Sequence, residues 1–257
     1  MAKRSVIVTG AGSTLGAACA RRFAAAGDRL VLVDRKEDAG RALAEALEGK
    51  GVEATFVGGD PAERLAAHNI VAEALETFGR VDVLVHANIA IESGAFLELT
   101  DEEFDRVIAA NLRGAFVVNQ AVARQLVKQF QESTVTPPDG AGAMINVVSD
   151  DAASARADRA AFAASEGGVA QLVKSMALAL APYGVRVNAV GVGAVKGAIG
   201  EDADPKAARS RVPMGRLGDA GEAAEAVHFL ASPAASFITG RTLVVDGGLA
   251  ITAAMTA

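Results

Sequence analysis

The residues best suited to bind a ligand form a glycine-rich turn close to the N-terminus. The turn runs from Thr9 to Gly16, after a short apolar run and before a helical stretch that begins at Ala17. Its glycines, which include Gly10 and Gly12, permit tight backbone geometry and let a pyrophosphate approach the N–H groups at a helix N-terminus, where the helix dipole favours negative charge. The segment therefore predicts a nucleotide-binding βα unit. An ordinary βα unit without a nucleotide is the alternative.

An acidic side chain, Asp34, ends the next apolar run, which begins at Arg29. An Asp about 20 residues after such glycines can accept hydrogen bonds from the hydroxyls of an adenosine ribose. Asp34 would repel a 2′-phosphate, so it predicts NAD rather than NADP. Arg35, beside it, is the one feature that would favour a phosphate.

Three further side chains, His86, Asp150 and Asp151, could exchange a proton with a substrate. Each of them titrates, and each follows or ends an apolar run, where ligands bind in parallel sheets. The alternatives are structural. Asp150 and Asp151 would form a solvated turn or cap a helix, and His86 would pack or cap a strand end.

Apolar runs alternate with helical stretches along the whole chain. We predict strands over 5–8, 29–34, 53–58, 81–85, 143–148, 185–190 and 242–245, and helices over 17–26, 64–78, 101–131 (in two segments), 160–181 and 222–231. Apolar strands separated by helices indicate a parallel sheet covered on both faces. The prediction is an α/β fold, a single-domain Rossmann-type doubly wound sheet of about seven strands over 1–257. Residues 194–214 are expected to form a substrate lid, and 131–142 a loop.

Charge and composition exclude several classes of function. The formal net charge of -6 and the pI near 5.2 argue against binding to nucleic acid or to an anionic membrane. No apolar run approaches the length of a membrane span or of a signal-peptide core, so we expect a cytoplasmic protein. Cys19 is the only cysteine, and we expect it to be buried. The three histidines lack metal-ligand spacing, so no metal site is expected.

Together these motifs resemble the short-chain dehydrogenase/reductase family over nearly the whole chain. The matching residues are Thr9, Gly10, Gly16, Asp34, Asp60, Asn111 with 112–114, Ser149, 187–190, 239–240 and 245–248. By general appearance the chain is most similar to 3-oxoacyl carrier-protein reductases and 3-hydroxyacyl-CoA dehydrogenases. The cofactor-binding positions that the resemblance implies are Gly10, Gly12, Thr14, Leu15, Gly16, Asp34, Asp60 and Asn88. Asp60 would lie beside the adenine.

The family's proton relay is incomplete in this sequence. In the family a serine orients the substrate carbonyl, a tyrosine transfers the hydroxyl proton, a lysine lowers the pKa of that tyrosine, and an asparagine holds a water of the relay. Ser149 and Asn111 match the serine and the asparagine, but the family's spacing places Phe162 at the tyrosine position and Glu166 at the lysine position. A phenyl ring has no proton to give, and a carboxylate has the wrong charge. We therefore predict little or no ordinary turnover.

Other departures gather near the expected nicotinamide position. The resemblance places Ile89 where the family has a glycine close to the cofactor, and Thr14 at the middle glycine of the turn. Gly197 stands where a threonine usually contacts the carboxamide. Because Ile89 and Thr14 would obstruct the dinucleotide, we predict that NAD binds weakly or not at all.

Two functions are consistent with these features. The first, which the sequence favours, is a non-catalytic subunit of a hetero-oligomeric NAD-dependent dehydrogenase of the 3-hydroxyacyl-CoA type. Its partner would be an active paralogue; without one, a homo-oligomer that senses NAD or an acyl-CoA-type small molecule is expected. The alternative is an active NAD(P)-dependent oxidoreductase of the same family that uses an unusual proton donor. Family members assemble through two long helices and the last strand, and these regions look intact here.

Overall fold

A seven-stranded parallel sheet forms the centre of the molecule. The computed structural model describes residues 3–133, 142–152, 154, 156–197 and 205–252. The strands are β1 (Ser5–Thr9), β2 (Arg29–Asp34), β3 (Ala54–Gly58), β4 (Val83–His86), β5 (Gly142–Ser149), β6 (Val185–Val192) and β7 (Thr242–Val245). Their order is β3-β2-β1-β4-β5-β6-β7, and every pairing is parallel. The predicted α/β class and doubly wound sheet are confirmed.

Helices cover both faces of this sheet. They are α1 (Thr14–Ala25), α2 (Glu37–Glu48), α3 (Arg64–Phe78), α4 (Asp101–Ile108), α5 (Gly114–Glu132), α6 (Ala160–Leu180), α7 (Pro205–Arg211), α8 (Ala220–Ala231) and α9 (Leu249–Thr252). One apolar core joins the sheet to α1, α2 and α8, and a second joins it to α3, α5 and α6. Successive strand residues point to opposite faces, so Val6 and Val8 enter the first core and Ile7 the second. Burial on both faces explains why the strands read as continuous apolar runs.

The predicted elements are found, with differences at some of their ends. α1 begins at Thr14 rather than at Ala17, because Ser13 is extended and its side chain accepts a hydrogen bond from the N–H of Gly16. β4 begins two residues later than predicted. No helix is predicted between β2 and β3, whereas α2 occupies that segment.

The helical stretch predicted over 101–131 divides at a π-helical turn. This turn, Ala109–Arg113, separates α4 from α5. π turns are rare and occur frequently at functional sites. Here the turn contains Asn111, which the family resemblance assigns to the proton relay.

Parts of two predicted segments lie outside the described residues. The structure describes 131–133 and 142 of the predicted loop, and 194–197 and 205–214 of the predicted lid. Within the described ranges, no helix combines the length and the apolar character needed to cross a membrane.

A crevice opens at the carboxyl edge of the sheet where the strand order changes direction. β1 lies between β2 and β4, so the chain leaves β1 towards one side and returns at β4 on the other. The helix that follows β1 packs on one face and α5 packs on the other, so the connections diverge. Ligands of open α/β sheets bind at such a switch point. Thr9, Asp34, His86 and Ser149 all end strands at this edge.

Candidate active site and nucleotide crevice

The glycine-rich turn packs against the end of β4. Gly10 has a φ of +71°, and a Cβ added there would lie 2.5 Å from the carbonyl oxygen of Ala87. A Cβ on Gly16 would overlap the carbonyl oxygen of Gly10. Both positions require glycine, because the backbone approaches too closely for a side chain.

The first turn of α1 presents backbone donors at the crevice. Ser13 Oγ accepts the N–H of Gly16 at 3.0 Å, and the N–H of Ala17 bonds to the carbonyl of Ser13. Within the described part of the chain, the N–H groups of Thr14 and Leu15 have no hydrogen-bond partner. Free N–H groups at a helix N-terminus suit a phosphate.

Asp34 holds the turn in place from the end of β2. Its Oδ2 accepts the N–H of Gly12 at 2.8 Å, and its Oδ1 accepts the N–H of Lys36 at 2.8 Å. The side chain is 7% exposed. Each carboxylate oxygen has a further lone pair, so Asp34 can still accept a ligand hydroxyl.

One small cleft, which we call the Asp60 cleft, has Ile89 in its lining. Its lining residues are Arg35, Asp60, Pro61, Asn88, Ile89, Ala90, Ala110 and Asn111. Arg35 Nη1 lies 3.5 Å from Asp60 Oδ2. Asn88 Oδ1 is buried and accepts no hydrogen bond from the described residues. An unsatisfied buried acceptor costs about 1–3 kcal/mol, so this oxygen is available to a ligand donor.

A second cleft, the Thr14 cleft, shares Ile89 with the first. It is lined by Ser13, Thr14, Leu15, Ala87, Ile89, Ile91 and Gly197. Thr14 Oγ1 donates to the carbonyl oxygen of Gly197 at 2.6 Å, which ties the start of the predicted lid to the glycine-rich turn. Ile89 is thus the residue common to both clefts, and it also packs against the first core.

Ser149 is the centre of a cluster of carboxyl groups at the end of β5. Its Oγ lies 3.1 Å from Asp150 Oδ1 and 3.4 Å from Asp151 Oδ2, and it accepts the N–H of Asp151 at 3.2 Å. Asp151 is only 5% exposed, so the expectation of a solvated turn is wrong for this residue. Burial and the charge of Asp151 raise the pKa of Asp150 above its ordinary value.

An arginine that sequence reasoning missed completes this cluster. Arg159 Nη1 donates to Asp151 Oδ2 at 3.1 Å, and both side chains are buried. The guanidinium carbon lies 5.9 Å from the centre of the Phe162 ring. No sequence motif identifies Arg159. It lies beside Asp151 because of the local fold after β5, where Asp150–Ala152 form a short helical turn.

Glu166 faces the same cluster from α6. Its Oε2 accepts the N–H of Ser149 at 2.6 Å, and the residue is 2% exposed. Burial raises the pKa of Glu166 to about 8; the hydrogen bond from Ser149 lowers it, and the charge of Asp151 raises it further. The expectation that Glu166 is a negatively charged carboxylate is therefore corrected. At neutral pH most Glu166 side chains hold a proton and are uncharged.

Phe162 is wholly buried in a small apolar cluster. Its neighbours in this cluster are Val107 and Ala161, with the partly buried Ile89 and Leu99 packed against them. The position that the resemblance assigns to a tyrosine therefore contributes packing, and the ring has no proton to exchange.

Asn111 joins three parts of the structure. Its Nδ2 donates to the carbonyl of Ala90 at 2.9 Å and to Ser165 Oγ at 3.0 Å, and its Oδ1 accepts the N–H of Ala90 at 2.8 Å. The amide thus connects the π-helical turn to α6 and to the segment after β4.

Two buried titratable groups take no part in the cluster. His86 Nδ1 lies 2.9 Å from Thr9 Oγ1, and burial lowers the pKa of His86 to about 4, so a neutral, buried ring is poorly suited to donate a proton. Cys19 is buried, as expected, and burial raises the pKa of its thiol to about 12. Among the described residues, no group of three or more His, Cys, Asp or Glu side chains could hold a metal ion.

Comparisons with known proteins agree with this architecture. Residues 10–250 match the family model described as enoyl-(acyl carrier protein) reductase. The chain is 38% identical over 255 residues to L-rhamnose 1-dehydrogenase (NAD(P)(+)) from Azotobacter vinelandii, which covers 96% of each chain.

Two solved structures are similar in fold. One is a short-chain type dehydrogenase/reductase from Mycobacterium marinum, with 28% identity, a TM-score of 0.87, and coverage of 96% of this chain and 94% of that one. The other is 3-ketoacyl-(acyl-carrier-protein) reductase from Brucella melitensis complexed with NADH, with 33% identity, a TM-score of 0.85, and coverage of 96% and 98%.

Proposed function

The chain belongs to the short-chain dehydrogenase/reductase family, and from this we propose that it is an NAD(P)-dependent oxidoreductase with a carboxyl group in its proton relay. It would interconvert a secondary alcohol and the corresponding ketone. Relatives that match nearly the whole chain are named as dehydrogenases and reductases. Their names favour the active alternative over the non-catalytic subunit that the sequence first suggests.

The contact between Ser149 and Asp150 carries this proposal. A carbonyl oxygen that becomes an alkoxide must gain one proton, which the Ser149 hydroxyl would donate. The Asp150 carboxyl, 3.1 Å from Ser149 Oγ, would then return a proton to the serine. The raised pKa of Asp150 increases the fraction of carboxyl groups that hold a proton, which a general acid requires.

The crevice fits the adenosine half of NAD(P). The N–H groups of Thr14 and Leu15 would hold the pyrophosphate, and Asp34 would accept hydrogen bonds from the ribose hydroxyls. Asn88 Oδ1 would accept a hydrogen bond from a further donor group of the ligand. The nicotinamide, when bound, supplies or accepts the hydride. We expect NAD to be preferred to NADP, because Asp34 repels a 2′-phosphate and Arg35 is paired with Asp60. We also expect NAD to bind weakly, because the branched side chain of Ile89 lines both clefts.

Turnover by the purified protein and its Asp150→Asn variant tests the proposal. NADH formation is followed with NAD⁺ and a panel of secondary alcohols that includes L-rhamnose and a 3-hydroxyacyl-CoA. We expect measurable turnover, and a loss of about 10²- to 10⁴-fold in kcat in the variant, since asparagine cannot transfer the proton. Asp158→Asn, on an exposed carboxyl that pairs with Arg156, is the control and should change kcat by less than about twofold.

Unchanged turnover in Asp150→Asn would remove Asp150 from the relay. Absence of turnover in the wild-type protein over the whole panel would instead support the second candidate.

The second candidate is a non-catalytic subunit that pairs with an active paralogue. The observation that favours it is the apolar cluster around Phe162, into which Ile89 also packs. If Phe162 stands at the tyrosine position, as the family resemblance implies, this cluster would occupy the place of the phenol. Co-expression with an adjacent intact family member, followed by co-purification and activity of the pair but not of this chain alone, would establish this function.

A further inference from the structure

We propose that Arg159 binds an anionic group of the substrate, and that the substrate is therefore a hydroxy acid with a free carboxylate rather than an ester or a thioester. The inference rests on the proposed function, because it concerns the molecule whose hydroxyl would meet Ser149. It deepens that function by naming the class of substrate and the residue that selects it.

Arg159 carries a buried charge that the protein satisfies only in part. Its side chain is 9% exposed, and Nη1 donates to Asp151 Oδ2 at 3.1 Å. Nε is buried and has no hydrogen-bond partner among the described residues. Because arginine stays protonated in proteins, this N–H remains a donor. A buried donor without an acceptor costs about 1–3 kcal/mol, and an acceptor on a ligand would recover that cost.

The shape of the guanidinium group indicates which kind of acceptor fits. Nε–H and one N–H of Nη2 point the same way from one edge of the planar group, whereas Asp151 occupies Nη1. A carboxylate presents two oxygens at a matching spacing and accepts from both donors. The oxygens of an ester or a thioester carry no charge and do not form such a matched pair. The edge of Arg159 therefore favours a carboxylate.

The position of Arg159 relative to Ser149 limits the length of the substrate. One oxygen, Asp151 Oδ2, lies 3.1 Å from Arg159 Nη1 and 3.4 Å from Ser149 Oγ. The guanidinium and the serine hydroxyl are thus neighbours of the same atom. A ligand that contacts both needs its carboxylate within a few bonds of its own hydroxyl. This condition is met by 2-hydroxy and 3-hydroxy acids.

The surroundings of the guanidinium also favour an anion. Its carbon lies 5.9 Å from the centre of the Phe162 ring, an apolar group that keeps water away from one side of the charge. Repulsion from the neighbouring carboxyl groups is reduced, because Glu166 is mostly protonated at neutral pH and burial raises the pKa of Asp150.

Calorimetry with matched ligands tests the inference without requiring turnover. Lactate and 3-hydroxybutyrate, each as both enantiomers, are titrated into the full chain with NAD⁺ in excess, beside their methyl esters. We expect at least one acid to bind about tenfold or more tightly than its ester, because the ester lacks the charge and the paired oxygens. Equal affinities for acid and ester in every pair, or no binding by any of these ligands, would overturn the inference.

A double variant then separates anion binding from support of the fold. Arg159→Gln alone would leave Asp151 buried without its partner, so it is combined with Asp151→Asn, which removes both charges together. If Arg159 only balances Asp151, the folded double variant keeps the preference for the acid, and the inference fails. If Arg159 binds the carboxylate, the double variant loses that preference by about tenfold or more.

Arg159→Lys keeps the charge but not the paired donors, and it serves if the double variant does not fold. Affinity for the acid should fall by about three- to tenfold, while affinity for the ester stays the same. An unchanged affinity for the acid would contradict the inference. Arg106→Gln, at an exposed ion pair on α4, is the control and should leave both affinities within about twofold.

The two proposals can fail separately. A protein that binds the acids through Arg159 but oxidises no alcohol would lose the oxidoreductase function and keep this inference. A protein that oxidises neutral alcohols and esters as readily as hydroxy acids would keep the function and lose the inference.

Discussion

At the scale of single residues, the protonation state of Glu166 matters most. Its pKa of about 8 in the folded protein lies above the value of 4.5 expected in the unfolded chain. The folded state therefore binds more protons between these two values. The stabilisation from a protonated Glu166 is complete at low pH and is lost as pH rises towards and past 8, by at most about 1.4 kcal/mol per pH unit.

The Glu166→Gln variant checks this sign. Glutamine keeps the shape of the protonated acid but does not titrate, so the variant should gain stability relative to the wild-type protein as pH rises from about 5 to about 9. Urea unfolding at several pH values measures the difference. His86, whose lowered pKa makes acid destabilising, is common to both proteins and cancels. Glu48→Gln, at an exposed position on α2, should show no such trend. A difference that does not change with pH would mean that Glu166 is charged when folded.

The sequence indicates which side chains lie near the crevice better than it indicates their protonation state. Asp34 and Ser149 end β2 and β5, and Asp60 follows the end of β3 by two residues. The charge of Glu166 could not be predicted from the sequence, because burial raises its pKa and burial depends on tertiary packing. For His86, the alternative that the ring packs at a strand end agrees with its burial. For Phe162 the sequence is sufficient, since a phenyl ring lacks an exchangeable proton whatever its surroundings.

At the scale of elements, the junction of β1 and α1 depends on glycine. A Cβ on Gly16 would overlap the carbonyl oxygen of Gly10, so the Gly16→Ala variant must shift the turn or the helix. We expect a loss of about 1–3 kcal/mol or more in the free energy of unfolding, measured with urea. Gly167→Ala is the matched control within α6, where the nearest atom to the new Cβ is 3.8 Å away.

The control should raise stability by about 0.5–1 kcal/mol, because alanine loses less backbone entropy than glycine on folding. Equal effects at the two positions would show that close backbone contact does not determine the requirement for glycine at Gly16.

The prediction of strands succeeded where burial is visible in the sequence as a continuous apolar run. The central strands are apolar throughout, and β2 and β7 were predicted with their observed ends. α2 was missed because its inward positions include the small residues Gly40 and Ala44, which weaken the apolar pattern. Gly40 has a packing reason, since a Cβ there would overlap the ring of Phe56.

At the scale of the whole molecule, the free edge of the sheet predicts self-association. Among the described strands, β7 is paired only with β6, and Leu243 and Val244 on it are 39% and 40% exposed. Phe237, close by in the chain, is fully exposed. An apolar edge strand of this kind normally pairs with another chain or is covered.

We therefore expect the purified protein to sediment as a dimer or larger assembly. Leu243→Lys should shift it to a smaller species, because a charge would be buried at the edge. Leu65→Lys, at an exposed apolar residue on α3, should leave the mass unchanged. A wild-type protein that sediments as a monomer would contradict the prediction and would favour assembly with a different chain.

The π-helical turn at Ala109–Arg113 holds one residue more than a regular α-helical turn would. A one-residue deletion there would let α4 run into α5 as a regular helix, and α5 would keep its register, so that Asn119 would still pair with Asn146. The change would fall on the turn itself, where the Asn111 amide bonds to Ala90 and to Ser165 Oγ. A homologue that lacks the extra residue should therefore keep the fold and lose the link between α6 and the segment after β4.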